Sequence, residues 1–293
     1  MARGFAAAAQ FHAATPWKLG VHGHRVFWVR GRDLAWLDLP ARRDAYAILG
    51  RHTRCDLRLP HDEDVSLRHV LVRSCLLADG NLALRVLDLR SGMPFFLEDD
   101  RPRASIVAAG PVAIRLGEYS ICAFPVAPGS PTGGHGPYRE LPRADVAFAR
   151  VLPRGVPDRR GSYITVMPPA PSLEDLAWPA APDGSARVTL RHGDRAASVV
   201  IPDADLDLGV IVGRADRCVD RGLRAVLTMS ISRSHLLLLR EGDDVHAFDL
   251  CSSQGTRIGR EPIRRSGLPP TGARLVLASL DPVFLDWHPR LPI

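Results

Sequence analysis

The residues best equipped for chemistry lie in the second half of the chain. Gly213-Arg214 follows the apolar run Val210-Ile211-Val212, Ser232-Arg233-Ser234-His235 comes next, and Asp249-Leu250-Cys251-Ser252-Ser253-Gln254-Gly255-Thr256 closes the series. A guanidinium offers a planar fork to two oxygens at once, hydroxyls add short bonds, and a side-chain amide brings both a donor and an acceptor. Ser232, His235 and Asp249 are the residue types of a hydrolase triad. No G-x-S-x-G elbow accompanies them, however, and a serine and a histidine three residues apart at a strand start do not align nucleophile with base. No G-x-x-x-x-G-K-[ST] loop, H-E-x-x-H pair or kinase signature occurs either. The constellation reads as a binding site and the chain as a non-enzyme, with no catalytic residue, metal or cofactor.

The same blocks occur earlier in the chain in the same order. Gly50-Arg51-His52-Thr53-Arg54-Cys55 matches Gly213-Arg214-Ala215-Asp216-Arg217-Cys218, Ser66-Leu67-Arg68-His69 matches Ser232-Arg233-Ser234-His235, and Asp88-Leu89-Arg90-Ser91 matches Asp249-Leu250-Cys251-Ser252. The offsets are 163, 166 and 161 residues, so order is kept while only loop lengths differ. This is the signature of two copies of one module.

The second copy resembles the forkhead-associated domain family, whose pattern is Gly-Arg, Ser-Arg-x-His and Asp-Leu-x-Ser-x-Asn-Gly-Thr at similar separations. The resemblance implies a sandwich of two antiparallel sheets whose loops at one end bind a phosphothreonine in an extended peptide. It makes Arg214 and Ser232 the primary phosphate ligands, with Arg233, Ser253 and Gln254 holding phosphate or peptide. A phosphothreonine brings a charge of about −1.5 to −2 and strong acceptor oxygens, which suits such donors. Gln254 replaces the pattern's Asn, keeping the amide but displacing it by one methylene. His235 is expected to brace the loop, as are Gly213 and Gly255, the last by a left-handed backbone.

The first copy resembles the family less closely. It keeps Gly50, Arg51, Ser66, His69, Asp88 and Ser91, but Leu67 replaces the pattern's Arg, and Gly92-Met93-Pro94-Phe95 stands where the pattern has x-Asn-Gly-Thr. Met93 is a poor hydrogen-bonding partner and Pro94 deletes a backbone donor. Arg51, Ser66, Arg68 and Ser91 are expected to form a weak second site, braced by Gly50 and His69, on a degenerate module.

Positioning such loops requires a β framework, and the surrounding sequence supplies its signals. Short apolar runs at 26–29, 47–49, 70–72, 82–89 and 113–124, and again at 187–190, 198–201, 210–212, 236–239, 245–250, 275–277 and 283–285, are cut by turn residues such as Asp79-Gly80, Gly193-Asp194 and Gly242-Asp243. The expected fold class is all-β: two antiparallel β-sandwich domains of forkhead-associated type. Twelve of the 25 prolines fall in residues 125–185, marking an extended linker in which 144–152 and the capping pair Ser172 and Asp175 suggest short helical turns. The expected boundaries are a flexible N-terminus at 1–19, a degenerate domain at 20–126, a Pro/Gly-rich linker at 127–185 and a second domain at 186–293.

At 293 residues the chain is long enough for two domains, and 46% hydrophobic with 24% charged residues is the balance of a globular protein. No run is long enough to span a bilayer, so no membrane partner is expected. The net charge of +6 is carried by scattered arginines, with Lys18 the only lysine, so nucleic acid is not expected as a partner. Five cysteines, odd in number and never in a C-x-x-C pair, support neither a disulfide framework nor a zinc site and point to the cytoplasm. The expected function is a phosphothreonine-peptide adaptor in Ser/Thr-kinase signalling, its partner a threonine-phosphorylated protein or the kinase itself. The alternative is a phospho-independent structural scaffold.

Overall fold

A computed structural model describes residues 1–42, 45–76, 82–126, 163–177, 186–216, 218 and 221–289. The turn expected at Asp79-Gly80, the helix expected at 144–152 and Arg217 lie outside the described residues, as does most of the expected linker. The chain divides into two compact units, Met1–Pro169 and Ala170–Ile293. Both are all-β sandwiches in which two sheets, antiparallel but for one short parallel strand pair, enclose an apolar core.

In the first unit one sheet runs, in spatial order, Asp33–Pro40, Gly23–Arg30, Tyr119–Val126, Val112–Leu116, Phe95–Phe96 and Pro102–Arg103. The other runs Tyr163–Met167, Ser105–Ala109, Leu82–Asp88, Val70–Leu76, Ala47–Gly50 and Leu57–Arg58. Alternation along each strand sends Val26, Val70, Val72, Val86, Ile106, Ile114 and Ile121 into the space between the sheets. The apolar run at 113–124 is broken into two strands by Gly117, whose φ of 56° makes the turn.

The opposite face of the first sheet carries Phe27, Val29, Ala113, Cys122 and Phe124 and is covered by the helix Ala2–Ala14. Phe5, Ala8, Ala9 and His12 recur at helical spacing and bury that stripe. Gly4 permits the approach, since a Cβ there would lie 2.8 Å from Ser120. The helix is fastened at its end by the buried Arg25. Its guanidinium pairs with Asp38 at 2.6 and 2.9 Å and donates to the carbonyls of Thr15 and Pro16 at 2.6 and 2.9 Å. Residues 1–19, expected to be flexible, are therefore an ordered layer of the first unit. An alanine-rich segment is a strong helix former once its narrow apolar stripe finds a sheet to cover.

The expected linker also changes character. Tyr163–Met167 pairs with Ser105–Ala109 at the edge of the first unit, burying Ile164. Further on, the Ile211 N–H donates to the Pro171 carbonyl (3.0 Å) and the Val200 N–H to the Ala177 carbonyl (3.1 Å), joining that stretch to the second unit. Ser172 and Asp175 form a capping box around the turn Leu173–Asp175. Proline density masked a short strand whose alternating Ile164 and Val166 have a core to enter.

In the second unit one sheet runs Arg195–Ile201, Ala186–His192, Val283–His288, Ala273–Leu277, Thr256–Ile258 and Glu261–Ile263. The other runs Val210–Val212, Leu236–Glu241, Asp244–Asp249 and Arg265–Leu268. Val188, Leu190, Val210, Val212, Leu236, Leu238, Leu275, Leu285 and Trp287 fill the space between them. Strand pairing aligns the outer face of its first sheet with the helix-covered face of the first unit. Phe27 opposite Cys122 becomes Thr189 opposite Asp286, and Ala113 opposite Cys122 becomes Arg274 opposite Asp286. Here Asp286 accepts from Arg191 at 2.9 Å and from Arg274 at 2.5 and 3.0 Å. One face is apolar beneath a helix, and its counterpart is polar.

Phe5→Ala should therefore destabilise the first unit by about 3–5 kcal/mol, the usual cost of truncating a buried aromatic. Denaturant unfolding followed by tryptophan fluorescence measures this. A loss within about 0.5 kcal/mol would show that the helix is not part of the folded unit.

Candidate functional site

In the second unit, the strand ending at Val212, the strand starting at Leu236 and the strand ending at Asp249 bring residues 213–235 and 250–255 to one end of the sandwich. The backbone fixes their register. Arg214 N–H donates to the Ser232 carbonyl (3.1 Å), Ala215 N–H to Arg233 (3.1 Å), His235 N–H to Val212 (2.9 Å) and Leu250 N–H to His235 (2.9 Å). Gly213 is required by this closeness, because a Cβ would sit 2.0 Å from the Arg233 carbonyl oxygen.

The fully buried His235 joins the two loops. Its Nδ1 accepts the Ser232 N–H at 3.1 Å, which leaves the proton on Nε2, 3.3 Å from the Gly255 carbonyl oxygen. Asp249 shapes the second loop by accepting from Ser252 N–H (2.8 Å), Ser252 Oγ (2.6 Å) and Thr256 Oγ1 (2.7 Å). Cys251 turns the chain at a φ of 54° and Gly255 at 75°.

Ser232 and Ser253 are brought together on this frame, and Arg214 is tied to Ser232 through its backbone. The Ser253 N–H donates to Ser232 Oγ at 3.0 Å, and the two hydroxyl oxygens lie 3.4 Å apart. Arg214 is half-buried, and its Nε–H is buried without a hydrogen-bond partner among the described residues. A buried donor on a cation is costly unless an acceptor meets it. Arg233 is exposed beside it, and Gln254 is half-buried on the adjoining loop. Gln254 is tied to Ser279, a residue the motifs did not contain.

The first unit repeats the backbone ladder of this frame. Arg51 N–H donates to Ser66 (3.0 Å), His52 N–H to Leu67 (3.0 Å), His69 N–H to Leu49 (2.8 Å) and Leu89 N–H to His69 (2.8 Å). His69 Nδ1 accepts the Ser66 N–H at 3.0 Å and Nε2 donates to the Met93 carbonyl at 2.7 Å. A Cβ on Gly50 would lie 2.5 Å from the Leu67 carbonyl.

The side chains differ. Arg51 Nε donates to the Val65 carbonyl (3.0 Å), and Ser66 Oγ donates to the Ser91 carbonyl (2.8 Å). The Ser91 hydroxyl is held by Asp88 (2.5 Å) and Met93 (2.6 Å). Arg68 is buried, whereas Leu67 and Met93 are exposed at the rim. The sequence match of Arg51 to Arg214 thus hides a difference in what each guanidinium is free to do.

Burial pushes the His69 ring down to about 4, against the Met93 carbonyl, which works in the opposite direction. Burial likewise pushes His24, bound through Nδ1 to Ser74 Oγ at 2.8 Å, down to about 3. Both rings fold neutral, so their contribution to stability is complete above the ordinary value of 6.5 and is lost as pH falls towards 4 and 3.

No protein-family model matches the chain, and no curated protein matches it. Among solved structures it is similar to the FHA-1 domain of Rv1747 from Mycobacterium tuberculosis, with 20% identity over 36% of this chain and 99% of that chain and a TM-score of 0.27. It is also similar to the FHA domain of CT664 from Chlamydia trachomatis, with 23% identity over 36% of this chain and 97% of that chain and a TM-score of 0.29. A third is the yeast Dun1 FHA domain in complex with a doubly phosphorylated peptide derived from Rad53. There identity is 16% over 40% of this chain and 83% of that chain, with a TM-score of 0.32. The structures matched are forkhead-associated domains.

An NMR titration of the imidazole resonances should find His69 neutral until the pH approaches about 4. A midpoint near the ordinary 6.5 would mean that the ring is not the buried acceptor of the Ser66 N–H.

Proposed function

We propose that the second unit binds a phosphorylated threonine in an extended segment of a partner protein, and that the chain is a non-catalytic adaptor. The observation that carries this reading is the Arg214 Nε–H, buried without a hydrogen-bond partner among the described residues, on a residue whose backbone is bonded to Ser232, whose hydroxyl oxygen lies 3.4 Å from that of Ser253. A dianionic phosphate supplies several acceptors to such a cup, and a guanidinium binds two of its oxygens in parallel. Ser232 and Ser253 add neutral donors, while Arg233 and Gln254 hold the flanking peptide.

The partner in this reading is a threonine-phosphorylated protein or a Ser/Thr kinase. A reducing compartment such as the cytoplasm suits the five free cysteines. Among the described residues no helix is long and apolar enough to cross a membrane.

The first unit serves differently. Its Arg51 and Ser66 are engaged internally, and its rim presents Leu67 and Met93. These observations favour a phospho-independent scaffold role for that half, the second reading of the chain, and weigh against a working phosphate site at Arg51, Ser66, Arg68 and Ser91.

A phosphothreonine peptide-library screen on the full chain, followed by calorimetric titration of a selected peptide, tests both halves. Arg214→Ala should weaken binding by about 10- to 100-fold, the range of a charge-assisted hydrogen bond, and Arg51→Ala should leave it within about twofold. Equal affinity for phosphorylated and unphosphorylated peptide, or binding indifferent to Arg214→Ala, would contradict the assignment.

A further inference from the structure

The connection between two paired strands of each sandwich, Val112–Leu116 with Tyr119–Val126 and Ala273–Leu277 with Val283–His288, is where the copies differ most usefully. In the first unit Val112–Leu116 and Tyr119–Val126 are joined by Gly117 and Glu118 alone, a tight turn. In the second, Ala273–Leu277 and Val283–His288 are joined by residues 278–282, a longer loop. The extra chain occurs in the unit whose arginine stays open.

That loop reaches the binding loop at two points. The Ala278 N–H donates to the Gly255 carbonyl at 3.1 Å, the same oxygen that faces His235 Nε2. Ser279 Oγ lies 3.3 Å from Gln254 Oε1 and 3.5 Å from the Gln254 carbonyl oxygen, donating towards both. Ala278 adopts a φ of 68°, a left-handed conformation that costs an alanine energy and persists where surrounding contacts impose it. The strained residue is the one that delivers the Ser279 hydroxyl to the amide.

An amide has two faces to its chemistry, an acceptor oxygen and a donor NH2. With the Gln254 oxygen directed at Ser279, the NH2 has no partner among the described residues. Its complement on an extended peptide is a main-chain carbonyl. We propose that Ser279 is a positioning residue that holds Gln254 as a donor towards a main-chain carbonyl of the bound segment. It thereby compensates for the extra methylene of a Gln in place of the pattern's Asn. This rests on the reading of the second unit as a phosphothreonine binder.

The test is a double-mutant cycle on the full chain, titrated with a library-selected phosphothreonine peptide and its unphosphorylated form. Ser279→Ala should weaken binding by about fivefold, as loss of one neutral hydrogen bond does, and Ser279→Thr, which keeps the hydroxyl, should restore it. In a Gln254→Ala background, Ser279→Ala should cost nothing further. An unaltered Ser279→Ala, or the same loss with and without Gln254, overturns the inference while leaving the phosphate assignment standing. Equal wild-type affinity for the two peptides overturns both.

Discussion

The loop end of the second unit depends on one buried imidazole, His235. His235 accepts a backbone N–H from one loop and faces a backbone carbonyl of the other, so Ser232 and Gly255 cannot move independently. Any position for the Ser232 hydroxyl relative to Ser253 and Gln254 follows from that bridge. Because the ring is enclosed, water competes poorly for its hydrogen bonds, which hold the two loops in one register.

The duplicated frame shows how little has to change for the end of a sandwich to open or close. His69 makes a like bridge in the first unit, between Ser66 and Met93, yet the Arg51 Nε–H donates to the Val65 carbonyl while that of Arg214 has no acceptor among the described residues. The outer faces have diverged by the same logic. Phe27, Cys122 and Phe124 lie under a helix, whereas the matching face of the second unit carries the ion pairs of Asp286 with Arg191 and Arg274. In both comparisons the backbone ladder is shared, and side-chain chemistry decides what the surface meets.

Most of this frame was legible in the residues. The repeated Gly-Arg, Ser-x-x-His and Asp-Leu-x-Ser blocks mark backbone crossings that side chains cannot fill, which is why Gly50 and Gly213 anchor the same ladder. Alternating apolar runs gave the strands, because a period of two survives in short segments. Three features were not legible. The alanine-rich start is a helix only because a sheet face needs a cover, a tertiary cause invisible in local pattern. The strand Tyr163–Met167 was concealed by prolines around it. Ser279 belongs to no motif, and only the longer connection between Leu277 and Val283, set against its counterpart, could have drawn attention to it.

The proposed phosphate site makes the Arg214 Nε–H an anion donor, whereas the Arg51 Nε–H is already bonded to the Val65 carbonyl. Arginine side-chain 15N–1H NMR on the full chain observes these two groups directly as a phosphothreonine peptide is added. With a phosphate bound at this site, the Arg214 Nε–H signal moves downfield and gains protection from exchange at saturation while the Arg51 signal stays in place. A saturating phosphopeptide that leaves Arg214 unmoved, or that shifts Arg51 instead, would contradict it.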